Sequence, residues 1–498
     1  MPKQIPIFYS ALLLTAVNLL LRFVGTSFQV YISAALGAAG VGLLQLVMSV
    51  GSLAMVAGMA GIRTATMYLT AEELGRGNQK NVTWVLSGCF LYSILCSGAV
   101  AALIYGFAPR IAQDWIGDAR TVDALRLFAA FLPVTCLCGV MTGYFTAANR
   151  IGTLAAVEVA EQFASMAVTM AALVLWSGND PGKACQSVIF GSCMGSCLTL
   201  ICLAVLRLRE RSAAGPRIPI AVRLAEAAVP LALADILKSG ITTTENLMVP
   251  KRLALNSIIS NPLAAFGMVS GMVFPVLMFP ACILSGLAEL LIPELARCAA
   301  ANSHKRIRYL VRRSLKAAML YGICFGGLMF LLSEALCIKL YRSPEAGQYL
   351  RLYSLLVPML YCDAITDAMT KGLGQQKICV RYNILTSVMD VVFLYMLLPR
   401  YGMEGYFLSF LVTHVINFLL SLARLLNITK LRIPYYIPIY IITATILALW
   451  GAFHLPNVAL QCAAYITLLA SLLYLSGILR REDAAWLKGL IKIRNALP

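Results

Sequence analysis

Long apolar runs recur along the chain from Tyr9 to Leu479, and they constrain the fold more than any other feature of the sequence. Each run is long enough to cross a hydrocarbon core of roughly 30 Å as a helix. Inside lipid, a helix satisfies every backbone hydrogen bond within its own segment. The sequence therefore predicts an all-α polytopic membrane protein.

The charged residues support a membrane protein and exclude a nucleic-acid partner. Only 12% of the residues are charged, whereas soluble domains carry about 25%. The net charge of +18 comes from basic residues in short loops between the apolar runs. The positive-inside rule accounts for this pattern without any nucleic acid.

We predict fourteen transmembrane helices. They span roughly 9–34, 41–69, 84–107, 124–147, 154–176, 185–206, 224–250, 262–296, 316–338, 350–371, 379–399, 404–424, 435–453 and 458–479. With the N-terminus in the cytoplasm, twenty-seven of the 40 lysines and arginines fall in cytoplasmic segments and ten on the opposite side. This bias predicts an inner-membrane protein with both termini in the cytoplasm.

A short internal repeat predicts how the helices are grouped. The Leu-Arg-Leu run at 125–127 precedes Pro133, and the Leu-Arg-Leu run at 350–352 precedes Pro358 at the same spacing, six spans later. An even number of spans gives two halves of the same orientation, a plan in which substrate binds between the halves. The predicted parts are an N-lobe (1–206), a cytoplasmic linker (207–223), a C-lobe (224–426), two extra C-terminal helices (427–480) and a basic tail (481–498).

Two cytoplasmic stretches have the pattern of basic amphipathic helices. In 304–316 and in 484–494, apolar residues at helical spacing alternate with lysine and arginine. Helices of this kind lie on anionic leaflets. We predict that both stretches contact the anionic inner leaflet.

Charged residues inside the spans are the candidate binding residues. An ionisable side chain at the bilayer centre costs roughly 2.5–3.5 kcal/mol, so it usually faces a cavity or a partner. Arg22 lies mid-span with no acid within a helical turn, and Lys238 lies mid-span between Asp235 and Glu245. These four residues are predicted to line a polar cavity that binds phosphate. For Lys238, an internal ion pair with Asp235 is an equally weighted alternative.

Other acids within the spans are candidates for ion or proton coupling, and the sequence offers no catalytic or metal centre. The coupling candidates are Glu161, Asp363, Asp367 and Asp390.

The three histidines are far apart, and the 15 cysteines include no C-x-x-C motif. The loops are too short to hold a catalytic domain. We expect no metal, no cofactor and no enzymatic activity.

Several motifs resemble a known family. The segments LRFVG at 21–25 and ISAALGAAGVGLLQL at 32–46 are similar to the opening of the stage V sporulation protein B group. GYF at 143–145, VPKRL at 249–253 and PRYGMEG at 399–405 agree in order and spacing. That group belongs to the oligosaccharide flippase branch of the multidrug/oligosaccharidyl-lipid/polysaccharide (MOP) exporters and is related to the lipid II flippase.

The resemblance implies a MATE/MOP-like fold of two six-helix lobes around a central cavity that opens to either side in turn. It implies a cargo of the undecaprenyl-pyrophosphate type that carries an oligosaccharide or a peptidoglycan precursor. Arg22 matches a functional arginine of the first span in the lipid II flippase. We therefore predict a monomeric flippase or exporter of the cytoplasmic membrane.

Two other functions stay open. A cation-coupled multidrug antiporter of the same superfamily would use an acid in the first span, where this chain has Arg22, but Glu161, Asp363 and Asp390 keep that reading open. A non-transporting scaffold in cell-wall or spore-coat assembly is the second alternative. Binding of lipid-linked sugars would distinguish the three.

Overall fold

The computed structural model describes residues 7–76, 79–178, 180–209, 221–431 and 436–478. Helix is the only regular secondary structure in these ranges, which confirms the predicted all-α class. Most of the predicted linker 207–223 and the whole predicted tail 481–498, including the amphipathic stretch 484–494, lie outside the described residues.

Sixteen α-helices follow one another along the described chain. They are α1 (Ile7–Met59), α2 (Ile62–Gly75), α3 (Gln79–Arg110), α4 (Val122–Ala147), α5 (Ile151–Ala172), α6 (Pro181–Leu208), α7 (Ala221–Leu253), α8 (Pro262–Gly267), α9 (Phe274–Met278), α10 (Ala281–Ala300), α11 (His304–Tyr341), α12 (Pro344–Ser354), α13 (Val357–Gly372), α14 (Gln376–Thr429), α15 (Tyr436–Phe453) and α16 (Val458–Leu475). Short π-helical segments at Ile111–Ile116, Leu173–Ser177 and Met268–Val273 extend or join some of them.

Eight helical stretches in the described residues are long and apolar enough to cross a membrane, or nine if a broken pair is counted as one span. This supports a multi-pass membrane protein. The number fourteen stays a prediction, because two stretches, Leu20–Gly75 and Gln376–Thr429, each cover two predicted spans.

Glycines with positive φ mark the points where two long helical stretches change direction. Gly37 interrupts α1 with φ 67° and ψ 174°, between the predicted first and second spans. Gly402 interrupts α14 with φ 56° and ψ −133°, between the predicted eleventh and twelfth spans. Side chains with a Cβ rarely adopt this region of φ. The breaks therefore depend on glycine.

The predicted eighth span (262–296) is broken at Phe279 and Pro280. The helix ends at Met278 and starts again at Ala281, after a turn at Phe279 and Pro280. A proline ring removes a backbone donor and clashes with the preceding turn. In contrast, α7 is assigned as one helix through Pro230 and Pro250.

The basic stretch 304–316 is the first part of α11 and not a separate helix. Its apolar residues Ile307, Val311 and Leu315 are buried within the protein. Lys305, Arg308 and Arg312 are exposed. The buried apolar side of this stretch is therefore covered by protein, and its cations are presented outward together with Tyr309.

The chain forms two compact units. Unit 1 comprises Met1–Phe279 and Ile384–Phe410, and unit 2 comprises Pro280–Asn383 and Leu411–Pro498. One core of unit 1 joins α2, α3 and α4 through buried residues such as Ile62, Val85 and Phe145. In unit 2, α15 and α16 pack on α11, where the buried Tyr465 hydroxyl donates to the Ile323 carbonyl oxygen at 2.9 Å.

Candidate functional site

A cavity of about 430 Å³ lies between α1 and α7 within unit 1. Sites for small ligands commonly measure about 300–1,000 Å³. Most of the residues that line it are polar. They are Gln45, Met48, Ser49, Ser52 and Val56 from α1, and Asp235, Lys238, Ser239, Thr242, Thr243 and Asn246 from α7.

The spacing of the lining residues explains how two apolar helices produce a polar cavity. On each helix they recur at intervals of three or four positions, which places them on one face. Three of the lining residues are also joined by hydrogen bonds. Thr243 donates to the Ser49 carbonyl oxygen at 3.1 Å, and Asn246 Nδ2 donates to Ser49 Oγ at 3.0 Å. These bonds fix α7 against α1 and leave other polar groups facing the cavity.

Lys238 lies in this cavity without an ion pair. No carboxylate oxygen of the described residues lies within 4.0 Å of its ammonium, and Asp235, three residues earlier, is likewise unpaired. Both residues are exposed to the cavity. In this structure the internal pair that the sequence allowed is not formed, and Lys238 is available to an anion.

Neutral hydrogen-bonding groups surround the two charges. Gln45, Ser52, Ser239 and Thr242 line the cavity, and their side chains have no hydrogen-bond partner among the described residues. Hydroxyl and amide groups both donate and accept hydrogen bonds. The cavity therefore offers one cation, one anion and several neutral groups to a ligand.

Glu245 does not line the cavity but lies beside another acid. Its carboxyl oxygen Oε1 is buried without a hydrogen-bond partner among the described residues. The charges of Glu245 and Asp390 are close enough to interact, and the Asp390 carboxylate accepts a hydrogen bond from Ser409 at 2.6 Å. Tyr406, also buried, lies near both acids. The structure thus brings together two acids that the sequence assigned to different roles.

Arg22 is exposed on α1 and is not among the residues that line the cavity. Thr26 donates to its carbonyl oxygen at 2.9 Å, and its guanidinium has no ion-pair partner in the part of the chain that the structure describes. The structure therefore does not bring Arg22 and Lys238 into one cavity of unit 1.

The remaining coupling candidates are each bound by a neighbour. In unit 1, Glu161 accepts a hydrogen bond from Thr199 at 2.6 Å. In unit 2, Asp363 accepts from the Asn417 amide at 3.1 and 3.3 Å, and Asp367 forms an ion pair with Lys371 at 2.5 Å. No group of three metal-binding side chains occurs among the residues described.

The sequence prediction missed most of the lining residues of the cavity. The signal was present, because Ser49, Ser52, Ser239, Thr242 and Asn246 repeat at helical spacing inside apolar runs. Serine and threonine are ordinary in transmembrane helices, where they bond to their own backbone or to neighbouring helices. The cavity-lining faces of α1 and α7 differ from an ordinary transmembrane helix face because several such polar residues surround Lys238.

Comparison with known proteins identifies a family and a fold. The MatE family model matches residues 14–176 and 230–396, which together make up more than half of the chain. Stage V sporulation protein B of Bacillus subtilis (strain 168) is 19% identical over 434 residues, covering 85% of this chain and 84% of that protein. The resemblance seen in the sequence is thereby confirmed.

Solved structures show the same fold at low sequence identity. The lipid II flippase MurJ in its inward closed conformation gives a TM-score of 0.71 at 14% identity, covering 94% of this chain and all of that one. A multidrug resistance MATE family transporter of the MOP superfamily in an inward-facing conformation gives 0.66 at 13% identity, covering 85% of this chain and all of that one. Neither likeness identifies the cargo.

Proposed function

Because the chain belongs to the MatE family of membrane transporters, we propose that it is a flippase for a lipid-linked sugar. The cargo is of the undecaprenyl-pyrophosphate type, carrying an oligosaccharide or a peptidoglycan precursor. It crosses the cytoplasmic membrane as the cavity opens to each side in turn. Transport, and not an enzymatic reaction, is the activity of this family.

The unpaired Lys238 in a hydroxyl-rich cavity is the observation that carries this proposal. A charged group within the membrane is costly unless a partner neutralises it. A phosphate of the cargo would supply that partner through a charge-assisted hydrogen bond. Ser52, Ser239 and Thr242 are free to bond sugar hydroxyls. The fold likeness to a protein that is by name a lipid II flippase supports the same class.

Arg22 would act at another stage of the passage. It is an exposed guanidinium in a predicted span, and a planar two-pronged donor suits a phosphate. Since it does not line the cavity described here, we assign it to capture of the pyrophosphate before or after the cargo contacts Lys238. The predicted lobes 1–206 and 224–426 would provide the alternating openings.

Glu245 and Asp390 are the best candidates for coupling to a cation or proton. Two neighbouring carboxylates repel each other, and binding a cation or a proton removes that repulsion. Glu161, Asp363, Asp367 and Asp390 each have a hydrogen-bond or ion-pair partner, whereas the buried Glu245 Oε1 has no hydrogen-bond partner among the described residues, which favours the pair that contains Glu245. The membrane potential alone would also favour outward movement of an anionic head group, by roughly 2.3 kcal/mol per charge at 100 mV.

The proposed membrane and orientation rest on the excess of lysine and arginine in the predicted cytoplasmic segments. We propose an inner-membrane monomer with both termini in the cytoplasm. The exposed Lys305, Arg308 and Arg312 would contact anionic head groups of the inner leaflet. Because Ile307 and Val311 are buried in the protein, this contact would be made by the cations and would not insert those two apolar side chains into the leaflet.

A multidrug antiporter is the second candidate, and Asp235 is the observation that favours it. A carboxylate exposed in the cavity is able to bind an organic cation. The similarity to the fold of a multidrug MATE transporter is compatible with this function. A scaffold function is not supported by any specific feature of the cavity.

Transport in proteoliposomes tests the proposal against the antiporter. The purified protein is reconstituted, and movement of a fluorescent undecaprenyl-pyrophosphoryl sugar is compared with uptake of ethidium. We expect the lipid-linked sugar to move and ethidium not to move. Arg22→Ala should slow the sugar strongly and Arg22→Lys only partly. Ethidium uptake without movement of the sugar would replace our proposal by the antiporter.

A further inference from the structure

The cavity between α1 and α7 holds two opposite charges that do not neutralise each other. Asp235 and Lys238 are three residues apart on α7, both are exposed to the cavity, and no ion pair joins them. Neither side chain has any other partner in the described part of the chain. A site that binds only a phosphate would need Lys238 but would not need Asp235.

The carboxylate is hard to explain as a structural group. Acids and bases at this spacing on a helix often pair, and pairing within the helix would neutralise both charges in the membrane. Asp235 also takes no part in the bonds that clamp α7 to α1, which are made by Thr243 and Asn246. We therefore consider a role for Asp235 in binding the cargo.

We propose that the cargo carries a free protonated amine, which Asp235 binds while Lys238 binds the adjacent phosphate. This inference rests on the proposed flippase function and names the chemical class of its cargo. Residues three apart on a helix have Cβ atoms about 5–6 Å from each other. The amine and the phosphate must therefore be close, as on an amino sugar attached directly to the pyrophosphate.

The neutral side chains around the charged pair fit the rest of such a head group. Ser239 follows Lys238 directly, Thr242 lies one turn beyond it, and Ser52 faces them from α1. Their hydroxyls are free to bond ring hydroxyls of the sugar. An N-acetylated sugar would leave the Asp235 carboxylate without a cation, and an unpaired charge in the membrane is costly.

A matched pair of lipids tests the inference. Wild-type protein in proteoliposomes is given undecaprenyl-pyrophosphoryl glucosamine or its N-acetylated form, which differ only in the acetyl group. We expect the free amine to move about tenfold faster, equivalent to one charge-assisted hydrogen bond. Asp235→Asn should abolish this preference by slowing the free amine. Glu226→Gln, an exposed acid of α7 outside the cavity, should preserve it.

The outcomes separate this inference from the function on which it rests. If the wild-type protein moves both lipids at the same rate, or if Asp235→Asn keeps the preference, the flippase proposal stands and the amine site is wrong. If the wild-type protein moves neither lipid, the flippase proposal fails, and the amine site fails with it. Loss of the preference in Glu226→Gln would also contradict a specific role for Asp235.

Discussion

The guanidinium of Arg223 donates to the carboxylate of Glu73, with an Nη1–Oε1 distance of 3.1 Å across 150 residues of sequence. The same guanidinium reaches Glu72 at 2.7 Å, and Asn81 donates to Glu73 at 3.1 Å. Glu73 is only 2% exposed. The contact therefore ties the end of α2 to the start of α7, the helix that carries Lys238.

Replacing Arg223 should destabilise the protein. Arg223→Ala removes the closer of two cations from the buried Glu73 carboxylate and leaves only Arg76, at 3.8 Å. We expect a loss of about 2 kcal/mol, which is below the value for a fully buried pair because Arg223 is partly exposed. Arg76→Ala is the matched control, since Arg76 is 57% exposed and its pairs with Glu72 at 2.6 Å and Glu73 at 3.8 Å are worth less than about 1 kcal/mol each. Thermal unfolding in detergent measures both. An equal shift for the two variants would contradict a special role for Arg223.

The packing of α16 on α11 should depend on a glycine. A Cβ at Gly327 would lie 2.1 Å from the Tyr465 hydroxyl oxygen, so Gly327→Ala forces this buried ring to move and strains its bond to Ile323. Overpacking of this kind costs about 1–3 kcal/mol. Gly98→Ala in α3 meets no atom within 4 Å and should be neutral or slightly stabilising. The comparison is made by thermal unfolding, and a stabilised Gly327→Ala would show that α16 packs differently.

The charge bias makes a direct prediction about topology. Reporter fusions in the 207–223 segment and after Pro498 should both report the cytoplasm. A fusion at Ser343, between α11 and α12, should report the opposite side. A signal from outside the cytoplasm at either of the first two positions would overturn the assignment.

The acid pair in unit 1 should control coupling. Asp390→Asn removes one of two neighbouring charges, so transport should lose its dependence on sodium or on a proton gradient while some movement driven by potential remains. Glu404→Gln, an exposed acid of the same helix, is the control and should behave as wild type. Transport rates are measured with and without an imposed sodium or pH gradient. An unchanged gradient dependence in Asp390→Asn would exclude the pair from coupling.

The sequence predicted the helices well where apolar runs are bounded by polar loops. The predicted span 185–206 corresponds to α6 (Pro181–Leu208), because Asp180 caps its start by accepting from the Gly182 amide. Helix breaks within one apolar stretch were harder to place. Gly37 and Gly402 interrupt single helical stretches, and only their backbone conformation shows where.

The candidate site was only partly predictable for a physical reason. The cost of burying a charge in lipid singled out Lys238 and Asp235, but whether they pair depends on side-chain rotamers that spacing does not determine. The contact of Arg223 with Glu73 was missed altogether, because no local pattern connects residues so far apart. Glu245 was assigned to the cavity, but the structure places it beside Asp390.

The rate of cargo movement in a Lys238 variant tests the central claim most directly. Fluorescent undecaprenyl-pyrophosphoryl sugar is incorporated into proteoliposomes, and its movement between leaflets is followed by chemical quenching from outside. Lys238→Gln should lower the rate about tenfold or more, since the phosphate loses a charge-assisted hydrogen bond. Lys339→Gln, at an exposed lysine near the end of α11, should leave the rate unchanged. A Lys238→Gln protein that moves the lipid at the wild-type rate would contradict the account.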